Sequence, residues 1–98
     1  MFEKLKQFKD LRDKAKQLQN ALATEKVDGT GAWGKVKVEM DGNQSVIAVD
    51  VSPDLLNPTD KTKLQDGIKE ALNDALKKAQ KKMMEKMKDL GGLNLPGM

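Results

Sequence analysis

Ninety-eight residues form one domain, residues 1–98, too short to bury a large core unaided. Charged residues make up 34% of the chain and aromatic residues only 3%, so the core has to be aliphatic. Cysteine and histidine are both absent, which excludes a disulfide framework, thiolate metal ligands, a thiol nucleophile and the commonest acid–base group. No catalytic residue, metal site or cofactor is therefore expected, nor any small-molecule substrate. No apolar run approaches the roughly 18 residues of a membrane span, and Phe2-Glu3-Lys4 opens a charged segment, so the expectation is a cytoplasmic protein with no membrane partner. The net charge of +3 is unevenly spread: residues 1–26 hold seven Lys or Arg and four acids, residues 27–66 four and seven, and residues 67–98 seven and four. Positive charge gathered at both ends points to an acidic partner.

Residues 2–26 contain no Gly or Pro, and Phe8, Leu11, Ala15, Leu18 and Leu22 recur at steps of three and four, which predicts a helix with one apolar stripe. Lys6, Lys9, Arg12 and Lys16 lie on its opposite side. Glycines 29, 31 and 34 then end helical character. Val36, Val38 and Met40 alternate with polar residues, Asp41-Gly42 reads as a two-residue hairpin turn, and Ile47, Val49 and Val51 alternate again, so a hairpin with one apolar face is expected within a sheet region of about 27–52. Val27 to Ala32 reads as a short extra strand or a bulged lead-in. Asn57-Pro58 is a helix start, and from there Leu64, Ile68, Ala71, Leu72, Ala75, Leu76, Ala79, Met83, Met87 and Leu90 keep helical spacing to the stop at Gly91-Gly92, giving a helix over about 58–90. The tail, residues 91–98, is expected to be flexible.

Two helices of roughly 37 and 47 Å exceed what a compact domain of this size encloses. An isolated hairpin is also marginal in water. A homodimer that shares its sheet and covers its helices meets both demands, with Leu11, Leu18, Leu22, Trp33, Val36 and Val38 as the candidate interface. Trp33 beside Gly34 is expected to cap the sheet or the dimer contact.

KKAQKKMMEKMK, residues 77–88, carries six lysines against Glu85. On a helical wheel Lys77, Lys78, Lys81, Lys82, Lys86 and Lys88 share about half the circumference, with the apolar residues on the other half. Lysine is the ordinary filler of a solvated helix face, but two basic helices doubled in a dimer make a surface suited to phosphates. Arg12 is the single arginine, so little base readout is expected, and few aromatic residues are available to stack on unpaired bases, which favours double-stranded DNA. Nothing indicates an enzyme: VDGTGAWGKVKV lacks phosphate-loop spacing and leads into a strand. The alternative reading is a protein-interaction adaptor that uses Met83, Met84 and Met87 at the helix tip to hold a partner.

The order of parts carries a resemblance. A first helix rich in Lys and Gln, the stretch V27-D-G-T-G-A-W-G34-K-V36-K-V38-E-M-D-G42, then V49-D-V-S-P53-D-L-L56, a long helix containing A71-L-N-D-A75 and a Gly-Leu-Pro tail together resemble the YbaB/EbfC family of bacterial nucleoid-associated proteins. The resemblance implies an α+β fold with an α-β-β-β-α subunit, an intertwined homodimer with a shared antiparallel sheet, and projecting helices that hold DNA like tweezers. It also implies a place on the nucleoid and a role in compacting it or tuning expression.

Overall fold

The computed structural model of the protein describes residues 2–89, with side chains from residue 7 onward. The predicted tail, Leu90 and the side chain of Lys6 lie outside the described residues. Helix α1 spans Phe2–Ala23, strands β1, β2 and β3 span Lys26–Gly31, Val36–Asp41 and Val46–Val51, and helix α2 spans Lys61–Asp89. This is the expected α-β-β-β-α order. The strands form one antiparallel sheet in the order β1-β2-β3.

The segment from Val27, read as a strand or a bulged lead-in, is a full strand paired with β2 from Lys26↔Asp41 to Gly31↔Val36. Its glycines are what let α2 lie on it. Val27, Gly29 and Gly31 alternate toward α2, which presents Gly67, Ala71, Ala75 and Ala79 at four-residue steps, all of them buried. A Cβ on Gly29 would stand 2.1 Å from the Ala71 carbonyl oxygen, and one on Gly31 the same distance from that of Gly67. Neither site has room for a side chain. Val36, Val38 and Met40 of β2 complete the core with Leu55, and Leu64, Ile68, Leu72 and Leu76 pack at its margin.

The α2 side chains also close the outer edge of β1. Glu70 accepts from the Ala32 N–H at 3.1 Å, Asp74 accepts from the Thr30 N–H at 3.1 Å, and Lys78 donates to the Asp28 carbonyl at 2.7 Å. Four helical residues rise about 6 Å and two strand residues about 6.6 Å, so helix and strand stay in step along the edge. The Thr30 N–H holds the Asp74 carboxyl below its ordinary value; partial desolvation opposes the shift, and Lys78 and Lys77 reinforce it.

Several local expectations are corrected. Helix α1 ends at Ala23 rather than near residue 26, because the hairpin turn supplies its C-terminal partners: the Leu22 carbonyl accepts from Glu25 N–H and Gly42 N–H, and Asn43 Nδ2 donates to the Gln19 carbonyl. The Asp41-Gly42 turn is a longer loop closed by Asp41, whose carboxylate accepts from Asn43 N–H and Ser45 N–H. The left-handed residue in it is Gln44, at φ 67°, and not Gly42. Gly42 answers a packing need instead, since a Cβ there would stand 2.7 Å from Leu22 Cδ2. On β3, Met40 pairs with Val46 while Glu39 pairs with Ala48, so Ile47 is the extra residue of a bulge rather than a member of a regular alternation. Asn57 does cap, but it caps a tight turn over Pro58–Asp60 by accepting from the Asp60 N–H at 2.9 Å, and α2 follows at Lys61.

Candidate nucleic-acid interface

The half-circle of lysines on the α2 wheel divides into two ridges once the helix is packed. One ridge runs Glu70, Asp74, Lys78, Lys82, Lys86 at steps of four and faces β1 and the base of α1. On it, Lys78 Nζ lies 3.3 Å from Asp74 in addition to its bond to Asp28. Lys82 lies 3.9 Å from both Glu25 and Glu85, and Lys86 lies 3.1 Å from Glu25. These three lysines are already engaged. The second ridge, Lys77, Lys81 and Lys88, is exposed and has no acid partner among the described residues.

On α1, Lys9, Arg12 and Lys16 are exposed and likewise carry no ion pair among the described residues. Every described residue of α1 from 7 to 17 is exposed, including Phe8 and Leu11 of the apolar stripe. Leu18 is half-buried, and Leu22 is sealed against the hairpin turn. Between α1 and the outer part of α2 runs a groove of about 620 Å³ lined by Ala15, Leu18, Leu22, Asn43 and Met83. Of the three methionines there, Met84 is exposed and Met83 and Met87 are half-buried.

The interface candidates also separate. Val36 and Val38 are 0% exposed and Leu22 is 1% exposed within a single chain, so α2 and the hairpin turn already cover them and they offer a partner no surface. Trp33 is at the other extreme. The residue is 103% exposed and caps nothing in the chain, held out on a left-handed turn in which Ala32, Trp33 and Gly34 have φ of 51°, 59° and 85°. The apolar surface left open is elsewhere, on β3, where Val46, Ile47 and Val49 are exposed because α2 crosses β1 and β2 only.

The partition of the lysines was missed by the wheel, which treats a helix as isolated. A signal was present: acids at 70 and 74 precede lysines at 78, 82 and 86 on one four-residue ridge, a spacing that marks pairing within the protein. Glu25 had no such mark, since its contacts depend on where the first helix ends. Among the described residues no cluster of His, Cys, Asp or Glu is placed to hold a metal ion, and no helix is long and apolar enough to cross a membrane.

Comparison with known proteins agrees with this architecture. A nucleoid-associated protein of Syntrophobacter fumaroxidans is 39% identical over 98 residues, spanning 99% of this chain and 89% of its own length. A nucleoid-associated protein of Rhodopseudomonas palustris is 42% identical over 93 residues, spanning 94% and 89%. The crystal structure of an uncharacterized Helicobacter pylori protein shares the fold, with a TM-score of 0.75 over 94% of this chain and 98% of that one, at 22% identity. The family model of the YbaB/EbfC DNA-binding family matches residues 1–93, and the chain belongs to that family.

Proposed function

We propose that the protein binds double-stranded DNA as a homodimer, gripping the phosphate backbone with the outward cations of both helices and serving as a nucleoid-associated protein that compacts the chromosome or tunes expression. The observation that carries this reading is the outward ridge of Lys77, Lys81 and Lys88, repeated on α1 by Lys9, Arg12 and Lys16, all exposed and without acid partners among the described residues. Exposed lysines that neutralise phosphates release counterions and give affinity with little sequence preference. Lys78, Lys82 and Lys86 contribute first as struts and only secondarily as phosphate ligands. Family membership and the names of the bacterial relatives support the same partner.

The dimer is supported by what one chain leaves uncovered. Val46, Ile47 and Val49 form an exposed apolar patch on an edge strand, and an open apolar edge invites pairing. Pairing of β3 with its copy about a two-fold axis would join the two sheets, and Phe8 and Leu11 offer further apolar surface to the partner. The interface thus moves from Val36 and Val38 to β3.

The test is fluorescence anisotropy of a labelled duplex at about 50 and 200 mM salt, for the wild type and for a Lys77→Glu, Lys81→Glu, Lys88→Glu variant. Wild-type affinity is expected to fall steeply with salt, and the log–log slope to shrink by about 0.9 for each lysine removed. Binding indifferent to salt, or unchanged in the variant, defeats the reading and turns attention to Met84 at the helix tip as a protein-binding surface.

A further inference from the structure

The groove between α1 and the outer part of α2 takes apolar surface from Ala15, Leu18 and Met83 and amide groups from Gln19, Asn20 and Asn43. No charged residue lines it, although charged residues make up 34% of the chain. A phosphate finds no cation there, whereas an uncharged apolar segment finds a matching surface. Such a segment follows α2 directly. Residues 90–98, Leu-Gly-Gly-Leu-Asn-Leu-Pro-Gly-Met, are the longest run of the sequence without a charged side chain, and they carry four large apolar ones, Leu90, Leu93, Leu95 and Met98. They continue from Asp89, six residues beyond Met83 of the groove.

We propose that residues 90–98 fold back into this groove within the same chain, laying Leu93 and Leu95 against Ala15, Leu18 and Met83. The reach is sufficient: the six helical residues from Met83 to Asp89 rise about 9 Å, and nine extended residues span about 30 Å. Gly91-Gly92 permits the reversal, because glycine takes either sign of φ. In an extended segment Leu93 and Leu95 point to one side and Asn94 to the other, so both leucines enter the groove while the backbone between them meets its amides. The tether settles the choice of occupant. It holds the segment at an effective concentration in the millimolar range, well above that of a second copy at micromolar concentration. Phe8 and Leu11 do not line the groove and stay open to the proposed dimer contact. Docking of the tail gives α1 an attachment beyond Leu22 and the hydrogen bonds from Gly42 and Asn43, and it does so whether or not DNA is the partner.

The chain lacks cysteine, so a cross-linking pair can be introduced cleanly into the full chain. Ala15→Cys with Leu95→Cys places one thiol in the groove and one on the tail. Gln17→Cys with Leu95→Cys keeps the same tether but moves the first thiol to an exposed position that does not line the groove. Under mild oxidation the first pair is expected to form an intrachain disulfide about tenfold faster than the second, read as mobility on a non-reducing gel. Equal rates overturn the proposal, and a disulfide formed mainly between chains overturns it in favour of a second copy as the occupant. Hydrogen exchange tests the same contact without cysteines. In a Leu93→Ser, Leu95→Ser variant the amides of residues 15–22 are expected to exchange about tenfold faster than in the wild type, while those of residues 67–79 in the core are unchanged. Exchange of residues 15–22 that does not respond to the two substitutions overturns the docking even if the disulfide forms, since oxidation can trap a rare encounter.

Discussion

Two residues show how little the residue type alone says about its purpose. Gly29 and Gly31 looked like breaks in a weak strand, yet they are the positions where a helix backbone lies against a strand backbone. Gly29→Ala would force its Cβ against the Ala71 carbonyl, and because backbone cannot step aside as a side chain can, the loss of stability is expected to reach about 3 kcal/mol in urea unfolding. The clue was in the sequence: V-x-G-x-G on the strand answers Gly67, Ala71, Ala75, Ala79 on the helix, and the two patterns make sense only together. Trp33 is the converse case. A large ring suggests burial, but its backbone takes a left-handed conformation and its side chain touches solvent on all sides. Since the ring buries nothing and non-glycine residues pay about 1–2 kcal/mol in that conformation, Trp33→Asn is expected to stabilise the fold by about 1 kcal/mol. Circular dichroism is the probe for this comparison, because the variant lacks the only tryptophan.

At the scale of the element, α2 has three jobs on three sides. Its small residues meet β1, one lysine ridge braces the edge of β1 and the elbow of α1, and the other lysine ridge looks outward. Neutralising one lysine from each ridge separates the last two roles. Lys77→Gln should reduce the salt slope of duplex binding by about 0.9 and leave the melting temperature unchanged. Lys78→Gln should lower the melting temperature, because the Asp28 carbonyl and Asp74 lose their partner. Equal effects of the two on binding and stability would show that the ridges are not distinct. The helices, the strands and the basic character of the chain were legible from periodicity and charge, which are local properties. The division of the lysines was legible only in part, through the acids at 70 and 74 on the same four-residue ridge, and the end of α1 and the role of Gly42 were not, because the remaining contacts come from residues far away in sequence: Asp28 for Lys78, Gly42 for Leu22, Glu25 for Lys86.

For the whole molecule, the described chain is drawn out to 64 × 21 × 19 Å with a radius of gyration of 18.3 Å, well above the roughly 13 Å of a compact domain of this length. Such a shape leaves apolar surface uncovered, and β3 carries much of it. Val49, 55% exposed, pairs across the sheet with Val38 but supports no helix, so Val49→Lys is expected to leave the protomer folded while converting a dimer to a monomer in sedimentation velocity. A wild-type chain that sediments as a monomer at micromolar concentration would refute the dimer directly. The side chains of Glu70, Asp74 and Lys78 give the sheet a further property. With the outer edge of β1 met by its own helix, the proposed pairing through β3 would give each protomer one adhesive border instead of two, a valence of one. Units of valence one pair and stop; units of valence two grow into fibres. On the proposed DNA partner, crowded with copies of the protein, that hazard would be constant, and in the proposed dimer three polar side chains on one helix ridge would close the second border and stop assembly at the pair.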